Sequence, residues 1–519
     1  MSKTTINDMT IGSPAKLIIK FMIPMCLGNL FQQFYNVVDS IVAGQFLGVQ
    51  ALAAIGSTGS LMFFVIGWLN GLTSGFAIMV AQSFGAKQYD RMRHYVAMSI
   101  YLSVAFALVM TIGFSVANEQ ILRLMNYSDE IMPSVKGYMG IIYMGLLVTV
   151  AYDALSAFLR ALGDSRSPLY FLMISAGINV VLDIVLIVVM GMGVEGCAYA
   201  TVIAQAISAL LCFIYICKKF PILRLKKTDF QIALKSLGKL LGLGIPMALQ
   251  FSITAIGTII VQGAINIYGE NCMAGFSAAG KLQNIFMTVF VAFGATIATY
   301  VGQNRGAGKM DRVKQGVRCT QYMIWGWSVV NMIAMFFFGK YMTYLFISPS
   351  ETEVIKVAVT YFHTVFWFYP FLGSIFLYRN TLQGMGYGLI PMIGGIFELV
   401  ARTAIVTLVA GKTSFAGVCF ALQIRIYFAV AVFLCVAFIL SYWANNPASN
   451  VPEIECHTQE TAQMIADSGV EANCAVVVAR FVARPAFCIP TSIEMVLFFA
   501  VFIPVRRPAQ YPRKYPRPL

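Results

Sequence analysis

Charge is the scarcest property of this 519-residue chain: Asp, Glu, Lys and Arg make up 11% of it, against about a quarter in a soluble domain. A water-soluble globular class is excluded on that ground. Histidine is almost as scarce, with three residues, His94, His363 and His457. None of them lies in an HExxH pattern, and no GxSxG elbow or Walker loop stands in a suitable context, so the common hydrolase and nucleotide-driven classes find no footing. Without a nucleotide site, energy for any transport must come from an ion gradient or from downhill flow. The 11 cysteines are scattered without a CxxC pair. Several (Cys26, Cys212, Cys217, Cys435) sit inside apolar segments, which argues against a disulfide framework or a thiolate metal site. The alternating ten-residue segments of a membrane β-barrel do not occur. The N-terminal MSKTTINDMTIGSPAK has no signal-peptide cleavage pattern, so the first helix is expected to stay as an uncleaved anchor.

What the chain has in quantity is apolar length. Hydrophobic residues make up 59% of it, and runs of 18 or more recur, each long enough to cross about 30 Å of hydrocarbon. The expected class is an all-α polytopic membrane protein with twelve spans, near 16–45, 52–81, 94–117, 132–159, 168–190, 194–217, 237–267, 273–301, 317–338, 355–379, 389–410 and 415–442. With five flanking residues counted on each side, the even-to-odd loops carry 18 Lys or Arg and the odd-to-even loops carry 5. The positive-inside rule then places the even-to-odd loops and both termini in the cytoplasm. This also accounts for the net charge of +14 through phospholipid and topology rather than nucleic acid.

The sequence repeats itself. FGAKQYDRMR at 84–93 matches RGAGKMDRVK at 305–314, IPM at 23–25 matches IPM at 245–247, and LRALGDSRSP at 159–168 resembles LQGMGYGLIP at 382–391. Six spans separate the copies. An even number means that both halves enter the membrane the same way round, as a parallel repeat about an axis along the membrane normal. Two pseudo-symmetric six-helix bundles are expected, with lobes over 1–220 and 221–443 and a cleft between them.

Few polar groups lie at membrane depth, and ionisable ones there usually face a partner, a cavity or a transported ion. Asp39 stands in FYNVVDSIVAG, with Tyr35 and Asn36 one turn earlier on the same face. In span 5, GINVVLDIVLI puts Asn179 and Asp183 at i, i+4, and Thr201 adds a hydroxyl in span 6. Two carboxylates, an amide carbonyl and a hydroxyl are oxygen donors suited to Na⁺. A pair of carboxylates sharing one cavity can equally hold and release H⁺. Asp153, nearer the basic end of span 4, reads as a solvated charge. Pro24 and Pro246 take equivalent places in spans 1 and 7, each removing an intrahelical hydrogen bond and offering a bendable point. The second half lacks an acidic residue in spans 7 and 10. Its Glu398 and Arg402, at i, i+4, are expected to neutralise each other, and Lys281 has no obvious partner and could face the cleft.

From about Ser13 to Trp443 these features resemble the MATE (multidrug and toxic compound extrusion) transporters. The likeness rests on Pro24 with Asp39, on YNVVDSIVAG, on FGAKQYDRMR with its second-half echo, on LRALGDSRSP and on INVVLD. It implies two six-helix lobes and alternating access. It further implies a multi-pass place in the plasma or inner membrane, no enzymatic activity and no cofactor beyond a coupling ion. The implied activity is export of amphipathic, often aromatic cations in exchange for H⁺ or Na⁺ by a monomer embedded in lipid. By the same resemblance the cation site falls on Asp39, Asn179, Asp183 and Thr201; if the ion is Na⁺, Asp39, Asn179 and Asp183 are its ligands, and the bending proline is Pro24. Without acidic residues in spans 7 and 10 the chain looks more like the DinF-like branch. The competing reading is a lipid-linked precursor flippase of related architecture, whose cleft should carry unpaired basic residues. Residues 444–519 match no part of this pattern.

Overall fold

The computed structural model describes residues 8–125, 127, 131–409, 412–421 and 423, less the side chains of residues 35–37, 40, 43, 49–50 and 52–53. Among the described residues there is no strand. A first bundle contains α1 (Pro14–Leu47), α2 (Val49–Gly85), α3 (Tyr89–Leu124), α4 (Met132–Met144), α5 (Leu146–Ala161), α6 (Arg166–Ile184) and α7 (Gly193–Lys219). A second contains α8 (Leu234–Asn266), α9 (Glu270–Gly306), α10 (Met310–Thr343), α11 (Thr352–Val365), α12 (Tyr369–Gly384) and α13 (Leu389–Val409). Among the described residues nine single helices are long and apolar enough to cross a membrane, and α4 with α5, bent by 48°, makes a tenth if the pair is one span. The expected span at 355–379 is broken as well. A 3₁₀ turn over Phe366–Phe368 divides it, and Pro370 opens α12, where a missing N–H costs nothing. Helix resumes at 415–421; the rest of the twelfth expected span and the whole 444–519 tail lie outside the described residues.

Burial follows a lipid solvent rather than water. Val109, Ile112 and Val116 on α3 are 63–75% exposed, one apolar stripe that hydrocarbon can cover, with every backbone polar group satisfied inside the helix. The lobes meet through backbone contact along α2. A Cβ at Gly75 would lie 2.6 Å from Gly244 Cα on α8, and one at Gly71 would lie 2.8 Å from Ala248 Cα. Farther along, Gly85 abuts the Gln303 carbonyl of α9, and Gly306 of α9 abuts the Gln82 carbonyl of α2. Only a residue without a side chain allows such crossings. Beside them sits a reciprocal pair of hydrogen bonds: Gln82 Nε2 donates to Gly384 O at 2.9 Å, and Gln303 Nε2 donates to Ala161 O at 2.8 Å.

The repeated loop motif clasps each lobe to the other's first helix. Arg93 Nε donates to the buried Asp229 Oδ2 at 3.2 Å, holding the lead-in to α8, while the Lys226 amide donates to the same oxygen at 2.7 Å. In the second lobe Arg312 donates to Met9 O at 3.3 Å and to Asn304 Oδ1 at 3.1 Å, holding the lead-in to α1. Both prolines stand where their helix crosses between lobes. Ile18 and Phe21, before Pro24, pack into the second-lobe core, whereas Val42, beyond it, packs in the first. Leu240 and Leu243, before Pro246, pack into the first-lobe core, whereas Ile265 packs in the second. Helix runs unbroken through both prolines. The apolar clusters at the far end are each confined to one lobe, so the lobes join at the end that carries the basic loops.

Replacing Gly85 or Gly306 by Val should destabilise the chain by about 1–3 kcal/mol through overpacking. A thermal melt in detergent, with Gly113→Val on an open stretch of α3 as control, checks this; equal melting temperatures for all three would refute it.

Candidate functional site

Three of the polar residues singled out from the sequence meet between α1 and α6. Asn179 and Asp183 are fully buried, one helical turn apart on α6, and Asp39 on α1 is half-buried. The hydrogen-bond network sets the amide of Asn179 with its nitrogen towards the carboxylates. So placed, Nδ2 donates to Asp39 Oδ1 at 2.9 Å and to Asp183 Oδ2 at 3.2 Å. One amide therefore bridges two carboxylates. The other oxygen of Asp183, Oδ1, is buried without a hydrogen-bond partner. Leaving a buried carboxylate oxygen unpaired costs at least about 1–3 kcal/mol, so the geometry favours taking up a proton or a small cation there.

Directly after Asp183 the helix widens into a π-helical turn over Val185–Val189, a feature frequent at functional sites because it rephases the side chains beyond it. The cap before α6 comes from the LRALGDSRSP motif: Asp164 accepts from the amides of Arg166 at 3.1 Å and Ser167 at 3.0 Å. On the other side, α7 runs antiparallel. Ser208 Oγ donates to Phe171 O at 3.2 Å and Ser175 Oγ to Ala204 O at 2.6 Å. Continuing that register by one and two turns sets Ala200 against Asn179 and Gly196 against Asp183, so the buried Thr201 and Cys197 stand one residue away on α7.

Two residues join the site that the sequence did not single out. Tyr138 on α4 and Cys197 on α7 are buried and lie within electrostatic reach of both Asp39 and Asp183; the Tyr138 hydroxyl donates to Met62 Sδ at 3.6 Å. Tyr138 belongs to a buried helical stripe with Val135, Met139 and Ile142. The spacing of that stripe is legible in sequence, whereas the neighbour it faces is not. The side chains of Tyr35 and Asn36 lie outside the described residues. Among the described residues no three His, Cys, Asp or Glu side chains gather. Na⁺ would therefore rest on Asp39, Asp183, Thr201 and the Asn179 carbonyl, and that carbonyl would have to face the carboxylates, opposite to the orientation that the hydrogen-bond network favours.

One expectation is corrected. Asp153 is buried, not solvated, with Asn70 and Arg160 as polar neighbours, because α5 packs that face against α2. In the second lobe Glu398 and Arg402 form the expected ion pair at 2.9 Å. Lys281 lies 5.6 Å from the Phe346 ring centroid, a cation–π contact. His94 bonds Asp229 O and Ser236 Oγ at 3.1 and 3.0 Å, and His363 stacks on Phe336.

The MatE family model matches the chain twice, over residues 24–185 and 246–408, a displacement of 222 that equals the IPM repeat. A probable multidrug resistance protein of Bacillus subtilis (strain 168), YpnP, is 30% identical over 387 residues, covering 73% of this chain and 84% of that protein. The multidrug export protein MepA of Staphylococcus aureus (strain MSSA476) is 22% identical over 373 residues, covering 72% of this chain and 82% of MepA. An outward-facing structure of a multidrug resistance MATE family transporter of the MOP superfamily superposes with a TM-score of 0.80 at 22% identity, covering 85% of this chain and 99% of that one.

Replacing Asn179 by Leu strips both carboxylates of their donor and should destabilise the chain by about 1–3 kcal/mol. Adding Asp183→Asn should restore part of the loss. A double-mutant cycle of thermal stability reads the coupling, and strict additivity would disprove the bridge.

Proposed function

The chain belongs to the MatE family of multidrug efflux transporters, and from that premise we propose that it is a secondary antiporter driven by a cation bound at Asp39, Asn179 and Asp183. The observation that carries the reading is the amide bridge between two carboxylates with a buried Asp183 oxygen left unpaired. A proton is the ion that fits the amide as oriented, because Asn179 donates to both carboxylates and leaves them to share one charge. Thr201 closes the site from α7. Na⁺ is the second reading, supported by the all-oxygen donor set once the amide turns.

The exported compounds are of several kinds, as the multidrug names of the relatives suggest for this chain, and the family resemblance points to amphipathic, often aromatic cations among them. Proton and drug compete through a shared conformational equilibrium: the ion favours one arrangement of the lobes and the drug the other. Pro24 and Pro246, where α1 and α8 cross between lobes, are the points at which those helices give. The end with the basic loops faces the cytoplasm, so the glycine crossings of α2 with α8 and α9 close the cytoplasmic side. One chain carries both lobes and works as a monomer. The flippase reading gains no support from the family match.

Purified protein in vesicles, loaded with a fluorescent organic cation, separates the two ions when pH and Na⁺ gradients are imposed one at a time. A pH gradient alone should drive transport, and Asp39→Asn or Asp183→Asn should lower the driven rate by about tenfold or more. Undiminished gradient-driven transport by both variants would sink the site assignment. Drive by Na⁺ alone would assign the site to Na⁺.

A further inference from the structure

The second lobe holds a buried polar pocket that plays no part in the ion site. A small, partly open pocket lies between α8, α12 and α13, lined among others by Gln250, Arg379, Glu398 and Arg402. Two arginines against one glutamate leave it net positive within a membrane-spanning bundle, where an ionisable group usually serves a purpose. Arg402 is 9% exposed. It spends one nitrogen on Glu398 at 2.9 Å, while its Nε, like that of Arg379, is buried without a hydrogen-bond partner in the protein. Arg379 lies over the Phe376 ring at 4.7 Å. Gln250 is already held by Pro391 O at 3.1 Å and by Gln383 at 2.8 Å. The guanidinium donors are thus in excess of the acceptors around them.

Internal symmetry explains how the pocket arose. The two copies of the turn before α6 and α13 keep one spacing: Gly163 and Gly386 have φ of +86° and +88°, Pro168 matches Pro391, and the helices begin at Arg166 and Leu389. Each pair is 223 residues apart, and the same step carries Asn179 onto Arg402. On α1 and α8 the IPM spacing of 222 carries Asp39 onto Val261 and Tyr35 onto Gly257. A side chain at Gly257 would meet Arg402 Nη1 at 2.6 Å, so this glycine makes the room that Arg402 occupies. The first lobe sets a neutral donor between two negative charges. The second sets a positive donor at the matching place and removes the carboxylate opposite.

We propose that this pocket is an anion site, the charge-inverted counterpart of the first-lobe site, and that it receives the carboxylate of an exported compound. The inference rests on the transport reading for the identity of the ligand's carrier, though not for the binding itself. A planar carboxylate fits paired guanidinium donors, and the pocket is small, so the acidic head group alone would enter it and the rest of the molecule would stay outside. The lobes would then divide the work, with small cation exchange in the first and recognition of an acidic substituent in the second. Substrates would include zwitterionic amphiphiles as well as plain cations.

Equilibrium binding to the purified full chain tests this without relying on any gradient. A rhodamine with a free carboxylate and the methyl ester of the same dye are titrated by fluorescence anisotropy in chloride-free buffer. The acid should bind about tenfold or more tightly than the ester, a charge-assisted hydrogen-bond increment. Arg379→Gln, which leaves the Glu398–Arg402 pair intact, should bring the ratio close to one. So should the charge-balanced double variant Glu398→Gln/Arg402→Gln, each variant being checked for a monodisperse gel-filtration peak. A parent chain that binds the acid no more tightly than the ester, or a preference that survives both variants, overturns the assignment. So does chloride binding with no acid preference, which would make the pocket an inorganic-anion site. Failure of ion-driven transport with the acid preference intact would count against the antiport reading alone.

Discussion

Everything in this molecule hangs on a few places where one backbone touches another. Along α2 the two lobes approach closer than any side chain permits, at Gly71 and Gly75 against α8 and at Gly85 and Gly306 where α2 and α9 cross. Lipid supplies little hydrophobic drive for helices to associate, so close van der Waals packing and interhelical hydrogen bonds must do it. The Gln82 and Gln303 bonds to opposite carbonyls supply the second of these. Because such contact is concentrated at one end, the far ends of the lobes are free to build separate apolar cores.

That joint also explains the placement of the prolines and the basic motif. A helix that starts in one lobe and finishes in the other must accommodate any relative motion of the two. Pro24 and Pro246 each free a carbonyl at the crossing point. The FGAKQYDRMR copies pin the lead-ins that precede these helices, through Arg93 to Asp229 and through Arg312 to Met9. The two arginines are not strict equivalents in the repeat, yet each reaches the same element of the opposite lobe.

Much of this was legible beforehand. The spans follow from hydropathy, the parallel repeat from three spaced matches, and the grouping of Asp39, Asn179 and Asp183 from helical spacing together with the family resemblance. The i, i+4 pairing of Glu398 with Arg402 needs only a helix to be right. Asp153 reads wrongly as solvated because its nearness to the span's basic end suggests water, whereas burial depends on what α2 lays against it. Tyr138 and Cys197 escaped notice for a related reason: a tyrosine on a buried stripe looks like core until its neighbour is known.

The sequence by itself determined the solvent, the number of crossings that could be read, the two-fold repetition and the identity of the scarce polar groups. These follow from composition and from one-dimensional periodicity, which local chain geometry obeys whatever surrounds it. Only the tertiary structure decided that a single amide spans the two carboxylates, that α6 widens just beyond them, and that Gly257 leaves the room that Arg402 fills. Each of these depends on the register between helices distant in the chain. That register is set by small-residue crossings and interhelical bonds whose partners lie up to 302 residues apart, beyond the reach of any local pattern.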